Sequence, residues 1–164
     1  MILGMSTSAF TLLHVVLSLI GIAAGLVVAA GMLGSKRLDG WTAVFLASTV
    51  LTSVTGFFFP RDHVLPSHIV GALSLVVFAI AALSFYRYRA DASWRWIYVV
   101  TALVALYLNV FVGVVQAFLK TPFLSALAPT QSEPPFLITQ LLVLLAFVAL
   151  GVVTLRSFHP TRQP

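Results

Sequence analysis

The sequence has little charge and no cysteine. Of its 164 residues, 9 are Lys or Arg and 4 are Asp or Glu, so charged residues make up 8% of the chain. A soluble domain carries roughly 25%. This shortage excludes a water-soluble globular domain and a disordered chain. The absence of cysteine excludes disulfides, iron–sulfur clusters, thiol redox exchange and c-type haem attachment.

What the chain does have is long apolar runs, since 60% of its residues are hydrophobic. Long stretches without charge span residues 1–35, 40–60, 63–86, 96–119 and 134–155. Each stretch is long enough for a membrane-spanning helix, which needs about 20 apolar residues. The sequence therefore predicts an all-α integral membrane protein, with residues 1–164 as a single domain. Five transmembrane helices are expected at about 8–33, 41–59, 67–87, 95–119 and 135–157.

The basic residues predict the orientation of this five-helix bundle. One side of the membrane collects Lys36, Arg37, Arg87, Arg89, Arg95, Arg156 and Arg162, and the other has Arg61 and Lys120. Because basic residues accumulate on the cytoplasmic side, we expect the N-terminus outside and the C-terminus in the cytoplasm. Trp41, Trp96 and Tyr98 are expected in an aromatic belt at the cytoplasmic boundary. The bilayer is the predicted partner, and no basic soluble face is available to bind nucleic acid.

Ionisable residues are missing from the interior of the predicted spans. No Asp, Glu, Lys or Arg lies there away from the helix ends. Ion pumps and voltage sensors need such residues, as do enzymes that use buried carboxylates. These functions are therefore disfavoured, and the sequence leaves open whether the protein catalyses any reaction.

Uncharged polar residues concentrate in the outer half of the predicted bundle. We expect a polar pocket there that binds a ligand, formed by His14, His68, Asn109, Gln116 and Gln140. The competing interpretation is helix packing, because small and hydroxyl residues let membrane helices approach closely and hydrogen-bond to one another.

Three ligands suit such a pocket. A b-type haem would use His14 and His68 as axial ligands, with Gly21 and Gly71 making room for the macrocycle. A divalent metal would draw its ligands from a set at the outer surface: His14, His63, His68, Asp62 and Glu133. A quinone-like molecule is the third candidate, and the sequence does not decide between them.

Three segments carry a resemblance to known proteins: LTSVTGFFFP (51–60), LYLNVFVGVVQAFLKTP (106–122) and LAPTQSEPPFLITQ (127–140). They resemble a family of small, uncharacterised polytopic inner-membrane proteins of bacteria. The resemblance implies a multi-pass protein of the bacterial inner membrane and brings no activity with it. The paired histidines are also faintly similar to cytochrome b561-like bundles, from which this chain departs by having five predicted helices and one histidine pair.

Two further functions compete with ligand binding. A transporter or channel for a small neutral solute fits the charge-free interior and would need a homo-oligomer, since no internal repeat is visible. An accessory subunit of a larger membrane complex fits the short loops and the small-residue pair Gly21 and Gly25.

Overall fold

The computed structural model describes residues 1–59, 66–87 and 94–159, and the regular elements in this part of the chain are all helices, with no strand. The helices are α1 (Thr7–Leu33), α2 (Asp39–Gly56), α3 (Pro66–Ala82), α4 (Arg95–Lys120), α5 (Pro122–Leu127) and α6 (Pro134–Ser157). A π-helical turn, Leu83–Arg87, continues α3. The expected all-helical fold class is confirmed.

Four helical segments are long and apolar enough to cross a membrane: Thr7–Leu33, Ile69–Arg87, Arg95–Lys120 and Pro134–Ser157. Helix α2 is not among them, because Asp39 and its many hydroxyl residues lower its hydropathy. The structure thus confirms a membrane protein with transmembrane helices.

Local chemistry explains where the helices begin and end. The Ser6 hydroxyl caps α1 by accepting a hydrogen bond from the Ala9 amide at 3.2 Å. Helix α1 ends at Gly34, which is followed by Ser35 in the left-handed region with φ 55°. Proline opens α5 and α6, where its missing N–H has no cost.

Helices α1 to α4 form a closed ring in chain order. Helix α1 packs on α2, α2 on α3, α3 on α4, and α4 returns to α1. Helix α6 lies outside this ring, mainly against α4. In the most apolar window of α6 only 11% of the residues are buried, against 39% for α4. Helix α4 is therefore the centre of the fold, and α6 is its peripheral member.

Aromatic and aliphatic side chains fill the interior of the ring. Phe45, Phe78 and Leu106 are almost fully buried, and the rings of Phe45 and Phe78 lie 6.0 Å apart, edge to face. The outward faces are also apolar, with residues such as Leu12 and Leu142 more than 60% exposed. Such a surface is unsuited to water and matches a lipid environment.

Polar contacts attach the C-terminal end of α6 to the ring. The Arg95 guanidinium donates to the carbonyls of Leu155 at 2.9 Å and Phe158 at 2.6 Å. The Ser35 hydroxyl donates to the Ser157 carbonyl. These donors satisfy carbonyls that the helix end leaves free, and the positive charge complements its dipole.

We expected Tyr98 in an interfacial belt, but it lies in the core. It is 2% exposed, and its hydroxyl lies 3.3 Å from that of Thr42. Its ring packs against Phe85 and Phe158. The reason is helical phase, because Tyr98 shares a face of α4 with Ala102 and Ala105, and both are buried against the ring.

The close approach of α1 to its neighbours gives a stability prediction. A Cβ added at Gly25 would lie 2.6 Å from Leu106 Cδ1 and 2.9 Å from Phe45 Cε2, whereas one at Gly113 would lie 3.6 Å from Ile22 Cδ1. We expect Gly25→Ala to destabilise the protein by about 1–3 kcal/mol through overpacking. Gly113→Ala is the matched control and should be neutral or slightly stabilising. Thermal unfolding in detergent checks both, and equal midpoints would contradict the packing.

Candidate functional site

A hydrogen bond between α2 and α4 lies at the middle of the bundle. Asn109 Nδ2 donates to Thr49 Oγ1 at 2.9 Å, and the Thr49 hydroxyl donates to the Phe45 carbonyl at 2.8 Å. Gly21 makes room for this pair, since a Cβ there would lie 2.9 Å from Thr49 Oγ1 and 3.2 Å from Ser48 Oγ. The small-residue face of α1 therefore accommodates a structural hydrogen bond, as the packing interpretation expects.

His14 joins the N-terminal part of α1 to the C-terminal end of α2. Its Nδ1 lies 2.9 Å from Thr55 Oγ1, and the Thr55 hydroxyl also lies 2.7 Å from the Leu51 carbonyl. Because a hydroxyl has one proton and the carbonyl can only accept, Thr55 donates to Leu51 and accepts from the imidazole N–H. The hydrogen-bond network thus assigns the proton to Nδ1 and leaves Nε2 as an acceptor.

The positions expected to house a haem are filled by protein side chains. A Cβ at Gly71 would lie 3.3 Å from Phe57 Cζ, so Phe57 occupies the space over that glycine. The His14 ring packs edge-on against Phe59, with 5.3 Å between ring centroids. Together with the occupied face at Gly21, these contacts leave the described residues without support for a macrocycle between the predicted ligands.

The metal set is only partly within the described structure. His63, Asp62 and the His68 side chain lie outside the described residues. Within the described ranges no group of three or more His, Cys, Asp or Glu side chains could hold a metal ion.

Glu133, a predicted metal ligand, orders the loop before α6. Its Oε1 accepts from the Thr130 amide at 3.2 Å and hydroxyl at 2.9 Å, and its Oε2 accepts from the Ser132 amide at 3.1 Å. Desolvation raises the pKa of this carboxyl, but the hydrogen bonds from Thr130 and Ser132 outweigh it. The pKa therefore lies below its ordinary value.

The two predicted glutamines lie in different environments. Gln116 is exposed on α4. Gln140 is 8% exposed, and its Nε2 donates to the Phe111 carbonyl of α4 at 3.2 Å. Its Oε1 is buried and receives no hydrogen bond from any described residue. Gln131, which the sequence did not single out, donates to the Val115 carbonyl one turn further along α4, at 3.0 Å.

A cleft of about 190 Å³ separates α4 from α6 over several turns. Its lining residues are Val100, Leu103, Val104, Tyr107, Leu144, Phe147, Val148 and Gly151. Apart from the Tyr107 hydroxyl the lining is apolar. This cleft could not be predicted from the sequence, because its residues have the same composition as any lipid-facing surface.

Gln140 is not a lining residue of this cleft but lies next to it, toward the start of α6. It lies one helical turn before Leu144 on α6, and its partner Phe111 lies one turn after Tyr107 on α4. The half-satisfied amide and the apolar cleft therefore belong to the same interhelical seam.

The described members of the predicted pocket do not converge on one cavity. Asn109 faces α2, while Gln140 contacts α4 from the α6 side. His14 precedes Gly21 by about 10 Å along α1. Of these residues, Gln140 is the one beside the cleft.

Comparison of the chain with protein-family models, curated proteins and solved structures gives no match. The family resemblance stays a prediction, and function has to be argued from the residues.

Glu133 provides a pH prediction. A carboxyl whose pKa is lowered by folding stabilises the folded state above its ordinary pKa, and this contribution disappears as the pH falls through the lowered value. We expect the melting temperature of the wild type to fall between about pH 5 and pH 3 more steeply than that of Glu133→Gln. Ser132→Ala is the matched control, because it keeps the amide donor to Oε2 and should retain the wild-type slope. Identical slopes in all three proteins would contradict this role.

Proposed function

We propose that the chain crosses the membrane five times, with its N-terminus outside and its C-terminus in the cytoplasm, as a bacterial inner-membrane protein. Helix α2 supports the fifth crossing because it packs along α1, and the His14–Thr55 bond joins the two helices near their outer ends. Its 18 residues extend about 27 Å, close to the hydrocarbon thickness. Its Thr42, Ser48 and Thr49 side chains are buried.

This topology can be tested because the chain has no cysteine of its own. We expect single cysteines at Ser8 and Ser132 to react with a membrane-impermeant maleimide on intact cells. Cysteines at Lys36 and His159 should react only after lysis. If α2 did not cross, Ser132 would be inside and His159 outside, which reverses the labelling of these two positions. Labelling in detergent controls for the reactivity of each cysteine.

We propose that the protein binds a small amphiphilic, quinone-like molecule from the lipid phase in the cleft between α4 and α6. The observation that carries this proposal is Gln140 Oε1, a buried acceptor without a donor in the described structure, at the outer end of an apolar cleft. A ligand would place its tail in the cleft and its polar head against the amide.

The energetics favour a ligand at this position. An unsatisfied buried acceptor costs about 1–3 kcal/mol, and the bilayer core offers no water to compensate. Asn109, in contrast, has its interhelical bond to Thr49 within the ring. The protein thus tolerates a costly atom at Gln140, next to the apolar cleft.

The peripheral position of α6 allows a ligand to reach the cleft from the bilayer. The cleft lies on the outside of the four-helix ring, so a molecule dissolved in the bilayer can enter laterally. Helix α6 has most of its surface free, which lets it adjust to an occupant more easily than a ring helix. Transport of a neutral solute, homo-oligomerisation and an accessory role in a larger complex stay predictions.

A photoreactive probe tests the site. A long-chain alcohol with a diazirine in its tail should label the seam around Leu103 and Leu144 preferentially. We expect Gly151→Leu to reduce this labelling several-fold, because the new side chain fills the cleft; a Cβ there would lie 3.8 Å from Leu103 Cδ1, an ordinary contact. Val152→Leu, on the adjacent and 45% exposed position, is the matched control. Labelling spread over all lipid-facing residues and unchanged in Gly151→Leu would overturn the proposal.

A further inference from the structure

We infer that the cleft selects molecules whose head donates a hydrogen bond, such as a hydroquinone or another hydroxyl head, over heads that can only accept, such as a quinone. This inference rests on the proposed binding function and concerns the chemistry of the head. It follows from the fact that the oxygen of the Gln140 amide, and not its nitrogen, has no hydrogen-bond partner among the described residues.

The orientation of the amide is fixed by its partner. Gln140 Nε2 donates to the Phe111 carbonyl, which has no proton of its own and can only accept. Turning the amide over would bring Oε1 against that carbonyl oxygen and lose the bond. The free, buried atom is therefore the carbonyl oxygen Oε1, which requires a donor.

A head group that can only accept hydrogen bonds would leave Gln140 Oε1 unsatisfied, with its energetic cost unchanged. A quinone carbonyl beside Oε1 would pair two acceptors, so neither would gain a hydrogen bond. A hydroxyl head would donate to Oε1 and satisfy it. Sites that present a buried hydrogen-bonding group discriminate strongly against analogues that leave it unpaired.

Tyr107 can bond to a donor head group and to an acceptor-only head group alike, so it does not discriminate between them. Its ring lines the cleft and packs against Phe111 and Phe147, with centroids 6.1 Å and 5.7 Å away. A phenol hydroxyl both donates and accepts, so it can bond either a quinone or a hydroquinone. The preference therefore depends on Gln140.

A second buried polar atom provides the matched control. Thr154 Oγ1 also has no partner among the described residues, and it lies three residues beyond Gly151, past the inner end of the cleft. A threonine hydroxyl donates as well as accepts, so it cannot produce a preference for donors. Thr154→Val removes this polar atom with little change of shape.

The experiment measures competition against the diazirine probe on the purified full chain in detergent, under anaerobic conditions. Two matched pairs of competitors are used: decyl-hydroquinone against decyl-benzoquinone, and 1-decanol against its methyl ether. We expect the donor to compete roughly tenfold better than its partner, the effect of one buried hydrogen bond. A preference in the first pair indicates that the site binds an aromatic head group. A preference in the second pair indicates that it binds an aliphatic alcohol.

Two variants decide whether Gln140 is responsible. Gln140→Met should abolish the preference, while Thr154→Val should keep it. Without ligand, Gln140→Met should unfold at the same temperature as the wild type or higher, because removing the unsatisfied buried acceptor offsets the loss of the Nε2–Phe111 hydrogen bond. A merely structural glutamine would instead be destabilised by the substitution.

The outcomes separate the two proposals. Labelling of the seam that Gly151→Leu abolishes, with no preference in either pair, overturns the head-group inference and leaves the binding site standing. A preference that persists in Gln140→Met also overturns it. Labelling that Gly151→Leu does not change removes the binding site itself.

Discussion

The fold depends on one constraint: inside a bilayer, a polar group must find its partner within the protein. Helix α2 shows how the chain meets it. Its Ser and Thr hydroxyls donate to carbonyls of their own helix, as Thr49 does to Phe45 and Thr55 to Leu51. Having donated, they accept from Asn109 and His14 on the neighbouring helices. Helix α2 thereby forms part of the ring and is hydrogen-bonded to both α1 and α4.

The sequence predicted most of the helical framework because charged residues and prolines mark the ends of the apolar runs. Pro134 opens α6, and Lys120 closes α4. Helical phase near a membrane boundary was harder to infer, since an aromatic residue suits both the interface and the core. Tyr98 was assigned to the interface on composition, but Thr42, Phe85 and Phe158 bury it.

The candidate site was predictable in residue type and less so in arrangement. Depth along a helix can be counted, and this count predicts Asn109 and Gln140 in the outer half. Which neighbour each side chain meets depends on the tertiary packing of α4, and the two amides contact different helices. The cleft left no trace in the sequence, because between membrane helices an apolar side chain gains little by facing protein instead of lipid.

The same reasoning explains why a cleft exists where it does. Helix α6 is attached to α4 by directional bonds near its two ends: Gln131 and Gln140 near its N-terminus, and Arg95 at its C-terminus. Between them only apolar surfaces meet, and lipid tails compete with such contacts on nearly equal terms. The seam can therefore part there without breaking a hydrogen bond. The cleft ends next to Gln140, whose amide oxygen has no partner in the described structure.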